Sequence, residues 1–213
     1  MLAATVGAPA FPSAGTYAYS ASMGGQAVGR WTVTVKPSDS GPQIDENSTA
    51  SLGGLQLSAT ATLSLAADLS PVKYAGSYRS AMQNPTVDVV LTPSAATITG
   101  SSGGATSTLA LQANTHHFVV VEQGLLAGLF ALPAQFAAWK DASVTWIAPM
   151  NASSQALGIN ATAPAARPAN LPAQDVALSI TGPIPVTLWY DPATLVPDQI
   201  VVPSQDAVLT RIR

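Results

Sequence analysis

The two histidines of this chain, His116 and His117, are adjacent, and histidine is the side chain best suited to acid–base chemistry near neutral pH. Neighbouring side chains of a strand point to opposite faces, so both could enter one site only at a bulge. A serine nucleophile commonly lies in a G-x-S-x-G turn between a strand and a helix. The Gly/Ser-rich run 100–104 lies instead in a hairpin-like context. We therefore predict no catalytic residues, and a hydrolase with an unrecognised site is the third functional alternative.

Metal and cofactor chemistry has little support in the sequence. The Asp and Glu residues, 11 in all, are scattered, cysteine is absent, and none of the His-x-His, HExxH or calcium-loop spacings occurs. We predict neither a metal site nor a cofactor. Glu122 precedes an apolar stretch and is expected to interact with the positive end of a helix dipole. Asp191 precedes Pro192 and is expected to form an Asx turn rather than to act in catalysis.

The most unusual segment is the apolar stretch 124–139, in which Gln135 is the single polar side chain. It is shorter than the ~20 residues that a membrane-spanning helix requires. Pro133 interrupts it, so we expect two short helical pieces hinged there, within a helical segment at about 123–139 that packs on the concave face of a sheet. Its large side chains and two strand tryptophans are the predicted ligand-binding residues: Leu125, Leu126, Leu129, Phe130, Phe136, Trp139, Trp31 and Trp146.

The composition sets limits on the core and on the partners. Hydrophobic residues make up 47% of the chain and charged residues 9%, against ~25% charged in typical soluble domains. The chain can therefore bury a large core, and its surface must consist mainly of small, uncharged side chains. The net charge of -3 and the lack of a Lys/Arg cluster argue against nucleic acids and anionic membranes as partners. We expect no membrane span, and the candidate partner is a hydrophobic small molecule or lipid.

Strand-like alternation dominates the rest of the sequence. In segment 55–65, Leu and Ala alternate with Gln, Ser and Thr, and segment 30–36 has the same period. Because such runs follow one another without helices between them, we predict an antiparallel meander rather than βαβ units. The predicted fold is all-β with minor α, a strongly curved half-barrel or barrel-like sheet, with a two-sheet sandwich left open. A single domain spans 1–213, with 1–13 irregular and 164–172 an exposed proline-rich loop.

Two hairpins carry a resemblance to a known family. The run 15–19 (GTYAY), with Gly24, Gly25 and the run 29–33 (GRWTV), resembles the first hairpin of exported bacterial half-barrel proteins of a domain-of-unknown-function family. The run 186–200 resembles the last hairpin of that family. The resemblance implies a bent sheet wrapped around helical cover, similar to the periplasmic lipoprotein-carrier and lipid-binding half-barrels. In those relatives the concave face accepts acyl chains or other apolar ligands, and the family carries no agreed catalytic residues.

These features predict an exported, non-enzymatic binding protein or carrier for a lipid-like or other hydrophobic ligand, held between the curved sheet and the helical segment. Export to the periplasm or the cell exterior is inferred from the Ser/Thr/Ala/Pro/Gly-rich, lysine-poor composition. The segment 1–10 lacks the basic and long apolar regions of a secretory signal, so a leader would be missing from this sequence. The main alternative is a structural or cell-surface interaction module with no small-molecule ligand.

Overall fold

The computed structural model of the protein describes residues 10–100, 106–111, 117–122, 124–140, 143–161, 167–182 and 184–213. Within them, one α-helix, α1, covers Ala127–Trp139, and two 3-10 turns cover Pro149–Asn151 and Pro203–Gln205. The strands in chain order are β1 Gly15–Met23, β2 Gln26–Lys36, β3 Gln43–Leu52, β4 Leu55–Leu65, β5 Pro71–Arg79, β6 Thr86–Thr92, β7 Ala95–Gly100, β8 Thr106–Ala110, β9 Phe118–Val120, β10 Ser143–Ala148, β11 Ser153–Asn160, β12 Val176–Thr181, β13 Val186–Tyr190, β14 Pro197–Val202 and β15 Ala207–Ile212.

All of these strands belong to one open sheet, in the order β8-β7-β6-β5-β4-β3-β2-β1-β15-β14-β13-β12-β11-β10-β9. The chain forms one antiparallel meander from β1 to β8, crosses to the far edge at β9, and returns by a second meander that ends beside β1. The antiparallel pairing of β1 with β15, with Ala18 opposite Ile212, joins the two halves. The predicted all-β antiparallel fold is confirmed, and the single sheet excludes the two-sheet sandwich.

The sheet is strongly curved, as the contacts across it show. Eleven strand-to-strand steps separate β5 from β9 in the sheet order, which would place them roughly 50 Å apart in a flat sheet at 4.8 Å per step. They are nevertheless in contact, and the 3-10 turn Pro149–Asn151 contacts β6. Helix α1 contacts β3, β4 and β9, so it lies inside the curve. The predicted helical cover on the concave face is therefore present.

Alternation along the strands separates a buried inner face from a polar outer face. In β4, Ala61, Leu63 and Leu65 are buried, whereas Thr60 is exposed. On the outer face, the hydroxyl of Thr60 lies 2.8 Å from that of Ser77 in β5. This agrees with the faces that the sequence pattern predicts, because a side-chain period of two fixes which residues share a face.

One unit departs from the predicted meander. Strands β9 and β10 are parallel, with Phe118 opposite Thr145, and α1 connects them. A parallel pair needs such a crossover, so the prediction of no βαβ unit is wrong at this point. The short β-branched run after His117 forms the strand β9.

The prediction of two helical pieces hinged at Pro133 is also wrong, because α1 is continuous through this residue. Proline lacks the N–H that would bond to the carbonyl of Leu129, a defect that costs ~3 kcal/mol in a helix interior. Every residue from Ala127 to Gln135 is buried, so packing offsets this defect. The helix ends at Lys140, which takes a left-handed φ of 58° and donates its N–H to the carbonyl of Phe136.

Contacts at both ends fix the position of α1. Near its start, Gly128 approaches β9 so closely that a Cβ there would lie 1.7 Å from the Val120 carbonyl oxygen. Near its end, the Gln135 amide donates to the Leu69 carbonyl at 3.0 Å, and the Trp139 indole donates to the Asp68 carbonyl at 2.8 Å. The helix is therefore held between β9 and the turn that joins β4 to β5.

The proline-rich and N-terminal segments are described only in part. Residues 164–166 lie outside the described part of the chain, and 167–172 form no strand or helix. The prediction of an exposed loop is incomplete, because Leu171 is buried in a small separate cluster with Ala177 and Trp189. Residues 1–9 also lie outside the described part, and 10–13 are irregular, as predicted.

Candidate functional site

A cavity of about 920 Å³ lies at one end of the concave face, beside the start of α1. Its walls come from the ends of strands in both meanders and from residues 121–122 and 124–126, which precede the helix. Most of the lining is aliphatic or aromatic, as in Val28, Leu57, Leu157 and Ile200. Ligand cavities in proteins typically have volumes of ~300–1,000 Å³ and largely apolar walls, so this cavity has the size and character of a binding site for a small apolar molecule.

Five of the eight predicted ligand-binding residues line this cavity: Leu125, Leu126, Leu129, Trp31 and Trp146. The two indoles come from opposite halves of the sheet, β2 and β10. Each is fixed by a hydrogen bond to the backbone that precedes the helix. Trp31 Nε1 donates to the Gly124 carbonyl at 3.0 Å, and Trp146 Nε1 donates to the Val121 carbonyl at 2.6 Å.

The other three predicted residues lie elsewhere on α1. Phe130 is fully buried, with its ring centroid 5.2 Å from that of Tyr17 in β1. Phe136 is half-buried. Trp139 stacks on His117, with ring centroids 4.2 Å apart and planes 10° apart. These side chains hold the helix rather than bound the cavity. The sequence predicts these three aromatic residues from the same apolar run as the three leucines. Only the three-dimensional structure distinguishes the residues that line the cavity from those that hold the helix.

Glu46 of β3 holds the start of the helix, and sequence reasoning missed it. Its Oε2 accepts hydrogen bonds from the backbone N–H groups of Leu126 and Ala127, both at 2.7 Å. These are among the N–H groups that a helix leaves without internal partners. Burial raises the pKa of Glu46 to about 8, opposed by the two amides. A sequence signal exists, because Glu46 occupies an inward position of β3 between Ile44 and Ser48.

The prediction that Glu122 interacts with the start of the helix is wrong, because Glu46 takes that role. Glu122 is 7% exposed and lines the cavity, and its Oε2 accepts the Met150 N–H at 2.7 Å. It thus connects the segment before α1 to the 3-10 turn after β10. Asp191 makes the predicted turn, because its Oδ1 accepts the Ala193 N–H at 2.9 Å.

Two tyrosines of β5 complete a polar cluster with these carboxyl groups. Burial raises the pKa of both Tyr74 and Tyr78, and the negative charges of Glu122 and Glu46 add to the effect. A Cβ on Gly76 would lie 2.7 Å from the Tyr74 hydroxyl, so this side chain extends along β5 towards Tyr78, which lines the cavity. Among the described residues, neither the Tyr74 hydroxyl nor Glu46 Oε1 has a hydrogen-bond partner. We call Glu46, Glu122, Tyr74 and Tyr78 the polar cluster.

The polar cluster predicts a dependence of stability on pH. The pKa of Glu46 is about 8 in the folded protein and about 4.5 in the unfolded chain, so the folded state retains a proton that the unfolded state releases. We expect the free energy of unfolding to fall as the pH rises from about 5 to about 8. Burial, reinforced by the charge of Asp198, raises the pKa of Asp175 to about 6, so Asp175 contributes only to the lower part of this range.

Urea unfolding at several pH values checks this prediction. The glutamine side chain of the Glu46→Gln variant cannot titrate. Between pH 6 and 8 the free energy of unfolding of this variant should therefore lose the dependence on pH that the wild type shows. Equal slopes for the two proteins in that interval would contradict the assignment to Glu46.

A second hollow, of about 400 Å³, lies near the chain terminus and is organised around an ion-pair cluster. The buried Asp198 accepts from Arg213 at 2.7 Å and from Arg211 at 3.3 Å. The Arg211 guanidinium lies 5.2 Å from the centre of the Tyr17 ring. These contacts satisfy the buried carboxylate and tie β14 to β15, which is a structural role.

The features that would favour a hydrolase or a structural interaction module are weak. Of the two histidines, His116 lies outside the described part of the chain, and His117 stacks on Trp139. No group of three or more potential metal-ligating side chains occurs among the described residues. In the described part of the chain, the large exposed apolar side chains are dispersed over four strands and one loop, and they are Leu55, Met82, Val90, Val176 and Ile212. Within the described ranges, no helix has the length and hydrophobicity to cross a bilayer.

Comparison with known proteins adds a similarity in structure. The chain resembles a DUF1089 family protein. That protein, from Pseudomonas aeruginosa, is known from a crystal structure, and the likeness covers 96% of this chain and 97% of that chain at 10% sequence identity, with a TM-score of 0.49. No family model matches the sequence, and no curated protein matches it.

Proposed function

We propose that this protein binds a lipid-like or other hydrophobic small molecule in the cavity beside the start of α1, without catalysing a reaction. The observation that carries the proposal is the cavity itself, about 920 Å³ in volume and lined mainly by apolar side chains. Filling it with side chains would stabilise the fold by ~0.8 kcal/mol per buried methylene. A fold that leaves this volume open forgoes that stabilisation, which is consistent with a space kept for a ligand.

The construction around the cavity supports the same proposal. The wall residues Val121, Gly124 and Leu126 are held by Trp146, Trp31 and Glu46 respectively, so the cavity shape is set before a ligand arrives. Preorganised sites lose less conformational entropy on binding. The proposal also places the protein outside the cytoplasm, which its Ser/Thr/Ala/Pro/Gly-rich, lysine-poor composition favours. Immunodetection of the protein in cytoplasmic, periplasmic and secreted fractions of the native cells checks this.

A cavity-filling substitution tests the proposal. Ala50 lines the cavity and is half-buried, so the Ala50→Trp variant should occupy the space without displacing core atoms. We expect the wild type to bind a neutral N-phenylnaphthylamine dye saturably, and Ala50→Trp to bind it at least about tenfold more weakly, equivalent to about 1.4 kcal/mol. Fluorescence titration measures both affinities.

The matched control lies one residue away on the same strand. Thr49 is exposed on the other face of β3, so the Thr49→Trp variant should keep wild-type affinity for the dye. Absence of saturable binding to the wild type, or an equal loss of affinity in the two tryptophan variants, would refute the proposal.

A further inference from the structure

The wall of the cavity is chemically uneven. Leu125, Leu129 and Leu157 make one part of it apolar, whereas Glu122 and Tyr78 bring the polar cluster to another part. An apolar molecule with one polar end can match both parts at once. The chemistry of the polar part therefore determines which end group the ligand carries.

Acidic and aromatic groups define this polar part. Glu122 is 7% exposed and contributes a carboxylate to the wall. Glu46, which is 1% exposed, adds a second carboxyl group behind the wall. Arg79, the cation among the described lining residues, is exposed at the end of β5, whereas Glu122 is buried. Because a pKa of about 8 leaves Glu46 mostly protonated at neutral pH, the negative charge within this apolar enclosure is that of Glu122.

The aromatic residues of the wall suit a cation. Trp31 and Trp146 donate their indole N–H groups to the carbonyls of Gly124 and Val121, the residues on either side of the segment that contains Glu122. Both rings therefore lie against the backbone close to Glu122 in the chain, and all three side chains line the cavity. The faces of tryptophan and tyrosine rings attract cations, more strongly where the cation is desolvated. A cavity whose wall holds a carboxylate and aromatic rings favours an ammonium group over a second carboxylate.

We propose that the ligand of this cavity is a cationic amphiphile, a molecule with an alkyl or similarly apolar body and an ammonium group that lies against Glu122 between Trp31 and Trp146. This inference rests on the proposed function, since it specifies the ligand of the same cavity. It makes Glu122 the residue that determines specificity.

Three ligands with the same tail test the inference: dodecylammonium, dodecanol and dodecanoate, each below its micelle-forming concentration at neutral pH. Each is titrated against the wild-type protein loaded with the neutral N-phenylnaphthylamine dye. We expect dodecylammonium to displace the dye at a concentration at least about tenfold lower than dodecanoate does, with dodecanol between them. If dodecanoate displaces the dye as well as dodecylammonium does, the inference is overturned while the proposed function stands. If the dye never binds, both are overturned.

Two variants assign the preference to its residue. Glu122→Gln keeps an oxygen for the Met150 N–H but removes the charge, so it should weaken dodecylammonium binding by about fivefold or more and change dodecanol binding by less than about twofold. Asp88→Asn removes the same charge from an exposed position in β6 and should leave the order of the three ligands unchanged. A Glu122→Gln protein with the wild-type preference would overturn the role of Glu122. If that variant does not fold, the order of the three ligands on the wild type decides the inference.

Discussion

Replacing Glu46 with alanine is expected to lower the free energy of unfolding by about 3–5 kcal/mol, because two buried N–H groups lose their acceptor at roughly 1–3 kcal/mol each. The N–H groups of Leu126 and Ala127 bond to Glu46 Oε2 at the buried start of the helix. For a chain of this length, about 1 kcal/mol corresponds to a Tm change of about 2–4 °C. Urea denaturation and thermal unfolding at neutral pH measure the loss.

Two further variants separate this effect from a general sensitivity of β3. Glu46→Gln keeps an oxygen that can accept both N–H groups, so it should lose much less stability than Glu46→Ala at neutral pH. Asp45, the preceding residue, pairs with the exposed Lys36 on the outer face, so Asp45→Ala should cost less than about 1 kcal/mol. Equal losses in Glu46→Ala and Asp45→Ala would contradict the account of how the helix is held.

Replacing Phe130 with alanine should cost a comparable amount, about 3–5 kcal/mol, the typical range for a fully buried phenylalanine. Phe130 is 0% exposed and packs against Tyr17, so truncation leaves a cavity between α1 and β1. The same change at the half-buried Phe136, two turns later on the helix, should cost less than half as much. Urea denaturation of both variants checks the difference. Similar losses at the two positions would show that Phe130 is not the main anchor of the helix.

The sequence predicts the faces of the strands well and their long-range pairing poorly. The alternation in β4 assigns Leu63 inward and Thr60 outward, because side chains on a strand must alternate. The junction of β1 with β15 and the parallel pair of β9 with β10 are made by backbone hydrogen bonds. Backbone groups are the same in every residue, so these pairings leave no mark in a single sequence.

The helix shows how tertiary packing overrides local preference. Pro133 predicts a break, yet burial of the surrounding residues keeps α1 continuous. Hydrophobicity groups Leu125, Leu126 and Leu129 with Phe130, whereas in the structure the three leucines line the cavity and Phe130 is fully buried on the helix. Glu46 was recognisable as an acidic residue at an inward position, although its partners lie about 80 residues away, at Leu126 and Ala127.

The most direct test of the central claim is a crystal structure of the protein soaked with a brominated dodecanol, with the bromine located by its anomalous signal. The account predicts an anomalous peak and continuous ligand density inside the cavity, in contact with Leu129, Trp31 and Trp146. A cavity closed by side chains, or a bromine peak only on the outer surface of the sheet, would contradict it.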